Sequence, residues 1–147
     1  MDQAGDARLL PRFLLLRAEQ ALLLGKTGEV EQALDSVEQM LSRCAARDEN
    51  WYMAELLRIK GELMVVADDP AEAAGIEKLF LQSLNLAREQ GALFWELRTA
   101  ISLARLWRNN GRIAEARALL TPIHARLTEG HATADSRDAR ALLEEMP

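Results

Sequence analysis

The sequence predicts an all-α fold of paired helices, and three observations carry that expectation. Ala, Leu, Glu and Arg dominate a composition that is 49% hydrophobic and 28% charged with only 8 Gly and 4 Pro, which is the vocabulary of helix formers. β-branched residues are scarce and nowhere alternate with polar ones over a strand's length, so a sheet has nothing to be built from. One phrase is also written twice, as KTGEVEQALDSV (26–37) and NNGRIAEARALL (109–120). In each, a glycine (Gly28, Gly111) stands five positions before an alanine (Ala33, Ala116), and an apolar residue (Val37, Leu120) follows four further on. The turn and second helix of a repeated helical hairpin leave this trace.

Taken in order, the first helix is expected over roughly 8–24, and Leu9, Leu10, Phe13, Leu14, Leu15, Leu16, Leu22, Leu23 and Leu24 run nearly all the way round it. The terminal helix of a stack should show a polar outer face. Preceding repeats of a longer parent chain cover this one, two copies pack through it, or a partner peptide does, with Leu10, Phe13, Leu14, Leu15 and Leu22 as the candidate face. The glycines of GKTG (25–28) turn the chain into a second helix over about 29–46, and ARDEN (46–50) ends it before a third over about 51–66. At ADDP, Asp69 is an N-cap and Pro70 loses nothing in a first turn, so a fourth helix starts there and runs to about 90. A fifth spans about 93–109 and stops at Asn110-Gly111, which suits the left-handed conformation of a helix end. The sixth, about 112–127, contains Pro122, so a kink or break is expected near Thr121. Thr133 caps the seventh, about 133–146, with Ala139, Leu142 and Leu143 inward and its acids outward.

Six of these helices pair into hairpins over about 8–46, 51–90 and 93–127, with a cap over 133–146, in one helical-repeat domain spanning 1–147. Ala21, Gly61 and Ala104 recur in the first helix of each hairpin at intervals of 40 and 43. Small residues are needed where helices approach closely, and large neighbours fill the gaps. The middle copy carries extra residues before Phe80, with Gly75 marking the slack.

At a net charge of -5 the chain lacks the Lys and Arg excess that neutralises phosphate backbones, so direct nucleic-acid binding is not expected. A single cysteine, Cys44, excludes an internal disulfide and fits a reducing, cytoplasmic setting. LLPRFLLL is far short of the ~20 residues of a membrane span, so no membrane association is expected. The glycine-Lys-Thr run at Gly25 to Thr27 follows a helix where a phosphate loop follows a strand, and it reads as the hairpin turn. His124 and His131 have no companions that complete a metal shell. Neither a metal, a cofactor nor an enzymatic activity is expected.

Leu57, Lys60, Gly61 and Met64, then Ala100, Leu103, Ala104 and Trp107 followed by Ala116 and Leu120, resemble the tetratricopeptide pattern. The resemblance implies an α-solenoid of three helical hairpins plus a C-terminal capping helix. Over 51–146, the phrases WYMAELLRIKGEL, LAREQGALFWELRTAISLARLWRNNGRIAEARALL and LTEGHATADSRDARALLEE are similar to the C-terminal repeats of large bacterial signal-transduction ATPase regulators. In those proteins an adenylate-cyclase-type or winged-helix domain comes first. The similarity implies a sensor or protein-binding arm of a transcription regulator, with catalysis and DNA contact lying upstream.

In such a stack the first helices line the groove, which would bring Glu55, Arg58 and Glu62 together with Arg98, Ile101, Arg105 and Arg108. The bland reading is a set of lateral ion pairs, Glu55 with Arg98 and Glu62 with Arg105. The functional reading makes Arg58, Glu62, Arg98, Arg105 and Arg108 the contact surface for a peptide or helix, the arginines suiting carboxylates. A small-molecule effector in the same groove, controlling an upstream ATPase, is the rival, and homodimerisation through the first helix is a third reading. Trp51-Tyr52 and Phe94-Trp95 open equivalent helices and are expected to pack between hairpins, with Trp107 in the core.

Overall fold

A computed structural model of the chain describes residues 10–127 and 133–147, with side chains from Leu16 onward. Its α-helices are α1 (Leu10–Lys26), α2 (Val30–Ala46), α3 (Met53–Ala67), α4 (Ala73–Glu89), α5 (Leu93–Asn109), α6 (Ile113–Ala125) and α7 (Ala134–Glu145). Single turns of 3-10 helix, Asn50–Tyr52 and Pro70–Glu72, lead into α3 and α4. No strand occurs among the described residues.

The turns repeat one device. At the ends of α1, α2, α4 and α5 the chain closes a six-residue loop, from Glu29 N–H to Leu24 C=O (3.1 Å), Glu49 to Cys44 (3.0 Å), Ala92 to Ala87 (2.9 Å) and Arg112 to Trp107 (2.8 Å). The residue just before each donor sits in the left-handed region: Gly28 (φ 102), Asp48 (φ 54), Gly91 (φ 63) and Gly111 (φ 78). These bonds satisfy carbonyls that a helix end leaves orphaned. Two helix starts follow the expected chemistry. Asp69 accepts from Ala71 N–H at 2.9 Å ahead of Pro70, and Thr133 accepts from Ser136 N–H at 3.2 Å.

The break expected near Thr121 is absent, since α6 continues through Pro122 to Ala125. Ala118, Thr121 and Pro122 all face solvent. The carbonyl that loses its partner to the proline ring is therefore open to water, which is how a helix carries a proline near its end.

The helices form two compact units, Met1–Ile76 and Glu77–Pro147. The boundary falls inside α4, just after Gly75. Gly75 lies beside the Glu72 carboxylate and the Met64 side chain.

In the first unit α1, α2 and α3 each pack on the other two. Ala18, Ala21, Ala33, Val37, Ile59 and Leu63 are buried, and so is Gly61. At the end of α1, Gly25 lies so close to the Leu63 side chain that a Cβ there would overlap it. Gly25, expected only to turn the chain, thus also marks a close approach of α1 to α3.

In the second unit α4 and α5 run antiparallel. Trp107 donates to Glu77, Ser83 and Thr99 share a buried hydrogen bond of 2.7 Å, and Arg88 donates to Glu96 at 2.9 Å. α6 packs on α5, and α7 packs on both. Leu97, Ala100, Leu103, Ala104, Ala116 and Leu120 form the buried centre.

Candidate functional site

The arginine row of α5 faces a helix of its own chain. Arg98 Nε lies 3.7 Å from Asp135 and Arg105 3.6 Å from Asp138, while Arg108 is paired with Glu145. Residue numbers rise together along both helices, so α7 runs parallel to α5. The acids assigned to the outer face of the last helix therefore turn partly inward. Ala139, Leu142 and Met146 are buried, so one flank of α7 is greasy and the adjoining flank meets guanidinium groups. Arg117 of α6 donates to the carbonyls of Leu143 and Met146 and satisfies the C-terminal end of α7. Each ion pair is partly exposed and contributes between about 0 and 1 kcal/mol; the row's value lies in polarity and register.

Ile101 is only 4% exposed and belongs to the core, so it does not line this face. Trp51 and Phe94, expected to pack between hairpins, are 46% and 48% exposed, and Tyr52 is the buried partner of the first pair. Trp107 is half-buried, with its indole N–H on Glu77 at 2.8 Å and the Arg112 guanidinium 4.7 Å from its ring centroid.

The first unit holds its charges differently. Arg58 was expected to face a partner, yet it is 6% exposed and donates to both oxygens of Glu55 at 2.9 and 2.7 Å. Glu62 stands 3.7 Å away on the next turn. Burial alone would lower the Arg58 pKa, but the hydrogen bond and charge of Glu55, with Glu62 and Glu19 behind them, raise it above its ordinary value. Such a guanidinium locks α3 internally and is not presented to a ligand. Lys60 pairs with Glu38 of α2.

A second arginine cluster, unremarked in the sequence, lies where α4 ends and α5 begins. Glu96 is 3% exposed. Its Oε1 accepts from Arg88 at 2.9 Å, and its Oε2 accepts from Arg126, just past α6. Arg88, Gly91, Leu93, Glu96 and Arg126 line a hollow of about 540 Å³.

Of the candidate dimer face, Leu10, Phe13, Leu14 and Leu15 have side chains outside the described residues, and Leu22 is half-buried. Leu16, Leu23 and Leu24 are exposed on the same helix. Thr27 Oγ1 donates to Leu24 C=O at 2.9 Å, so Gly25 to Thr27 form the closing turn of α1. His131 lies outside the described residues, and among those described no three His, Cys, Asp or Glu side chains converge as metal ligands would. No described helix is long and apolar enough to cross a membrane.

No family model, curated protein or solved structure matches the chain.

Proposed function

We propose that the chain is a non-catalytic, tetratricopeptide-like stack of helical hairpins that binds an acidic amphipathic helix, and that α7 is its built-in occupant. The carrying observation is the pairing of Arg98, Arg105 and Arg108 with Asp135, Asp138 and Glu145 beside a buried flank of Ala139, Leu142 and Met146. A partner helix with acids and apolar residues at those spacings would meet the same surface. α7 is short, at 12 residues, and only one flank of it is greasy. Its release therefore costs a few kcal/mol, at ~1.5–3 kcal/mol for each large side chain uncovered, and a competing helix can offset that by differential binding. The resemblance of the phrases in 51–146 to bacterial regulator repeats would put the chain in a cytoplasmic signal-transduction setting, with such an exchange as the signal.

Native-state hydrogen exchange on the full chain tests this. Amides of α7 should exchange through an opening about 2 kcal/mol or more smaller than that of α5. Charge reversal at Arg105 and Arg108 should ease the α7 opening further while leaving α5 unchanged. Equal opening free energies for the two helices would mean that the arginine row is never uncovered, and the reading would fall.

A further inference from the structure

The Arg88, Glu96 and Arg126 cluster has the construction of an anion receptor. Two guanidinium groups address one carboxylate, so the cluster keeps a surplus of one positive charge. Glu96 is buried, with only 4% of its side chain exposed, whereas Arg88 and Arg126 are 46% and 54% exposed. The carboxylate thus acts as an anchor from below, fixing two flexible side chains next to each other and removing much of the rotamer entropy that a ligand would otherwise have to take away. Arg88 reaches it through Nε and Arg126 through one terminal nitrogen. Each guanidinium has five N–H donors, and the remainder have no protein acceptor among the described residues.

The helix ends here act in both directions. The C-termini of α4 and α6 hold the two guanidinium groups in place and offset part of their charge, while the first turn of α5, with Ala92 at its N-cap supplying no side-chain oxygen, adds positive potential. Leu93 gives the hollow an apolar wall, and its volume of about 540 Å³ falls in the range of small-molecule sites.

We propose that this hollow binds the phosphoryl group of a small organic phosphate, with Arg88 and Arg126 as its forks and Glu96 as the residue that positions them. A carboxylate fills one fork. A phosphate monoester, with about -1.5 to -2 charge and three free oxygens, engages two forks side by side and balances the surplus charge. Its organic part rests on Leu93. Neither α7 nor its arginine row lines the hollow, so the site stands or falls independently of the helix-binding reading.

The test is calorimetric and NMR titration of the full chain with inorganic phosphate, phenyl phosphate, benzoate and a phosphoserine peptide, following the arginine side-chain N–H resonances. Phenyl phosphate should saturate about tenfold more tightly than inorganic phosphate, given apolar contact at Leu93, and benzoate should bind more weakly than either. Arg126→Gln and Arg88→Gln, each of which leaves Glu96 its other arginine, should each weaken phenyl phosphate tenfold or more with the thermal midpoint checked in parallel, while Arg112→Gln should leave it unchanged. The proposal is overturned if phenyl phosphate fails to saturate, if the Arg88 and Arg126 variants bind as the parent does, if Arg112→Gln weakens binding equally, or if the phosphoserine peptide alone binds.

Discussion

Arg58 and Glu55 form a two-pronged ion pair one helical turn apart, at 2.9 and 2.7 Å, with both side chains buried in the first unit. Removing the guanidinium takes two hydrogen bonds away from a carboxylate held in low dielectric, a loss that water cannot make good. Arg58→Met should therefore destabilise the chain by about 3–5 kcal/mol in urea unfolding. Replacing both residues, as Glu55→Met with Arg58→Leu, should recover most of that loss. An Arg58→Met variant as stable as the parent would show that the pair is not buried as described.

Gly25 makes a second prediction in the same unit. Alanine is normally the better helix residue by about 1 kcal/mol, so Gly25→Ala would be expected to stabilise α1. Leu63 stands where the new methyl would go and is itself fully enclosed. Overpacking should win, with a net loss of about 1–3 kcal/mol. In the background of Leu63→Ala the same change should cost little, and a double-mutant cycle by urea unfolding reads the coupling directly.

The left-handed turns give a prediction of opposite sign. Asp48 and Asp68 hold φ of 54 and 52, where Gly28, Gly91 and Gly111 stand at other turns. A side chain in this region costs roughly 1–2 kcal/mol, offset in part by the lower backbone entropy of a non-glycine residue. Asp48→Gly loses a surface bond from Asn50 at 2.8 Å and should still gain a few tenths to about 1 kcal/mol. Gly111→Ala should lose about 1 kcal/mol, both seen as shifts of the thermal midpoint.

These turns were legible because their chemistry is local. A glycine five positions before an alanine, Asp69 before Pro70 and Thr133 before a helix carry their meaning within one turn of chain, and the expected span 93–109 matches α5 end to end. The 3-10 turns at Asn50 and Pro70 were not legible, since the α and 3-10 forms of a first turn differ in one hydrogen bond and packing decides between them. The site was read less well, for a different reason. Periodicity told which residues share a helix face but not which other helix that face meets. Arg58 is groove-lining if the first helices of a stack line the groove, whereas its burial depends on Glu55 one turn away. Asp135, Asp138 and Glu145 counted as a solvent face, though Arg98, Arg105 and Arg108 lie opposite them. Glu96 gave no signal at all, because Arg126 reaches it from 30 residues away.

Cys44 supplies the pH dependence. It is buried in α2; burial first and the nearby Glu49 second push its thiol pKa up, against smaller pulls from Arg43 and Arg47. The folded chain therefore keeps the proton at a pH where the unfolded chain, with a thiol near ~8.5, has begun to lose it. The resulting stabilisation is fully present below the unfolded value and is lost as pH rises through the folded one. Relative to Cys44→Ala, the parent should lose stability from about pH 8.5 upward and show a constant difference below it, measured by urea unfolding across that range. Only the thiolate attacks a disulfide reagent, so labelling of the native chain at pH 8 should be slow and should accelerate on adding urea. Rapid stoichiometric labelling without denaturant would place the thiol at the surface and remove the alkaline effect with it.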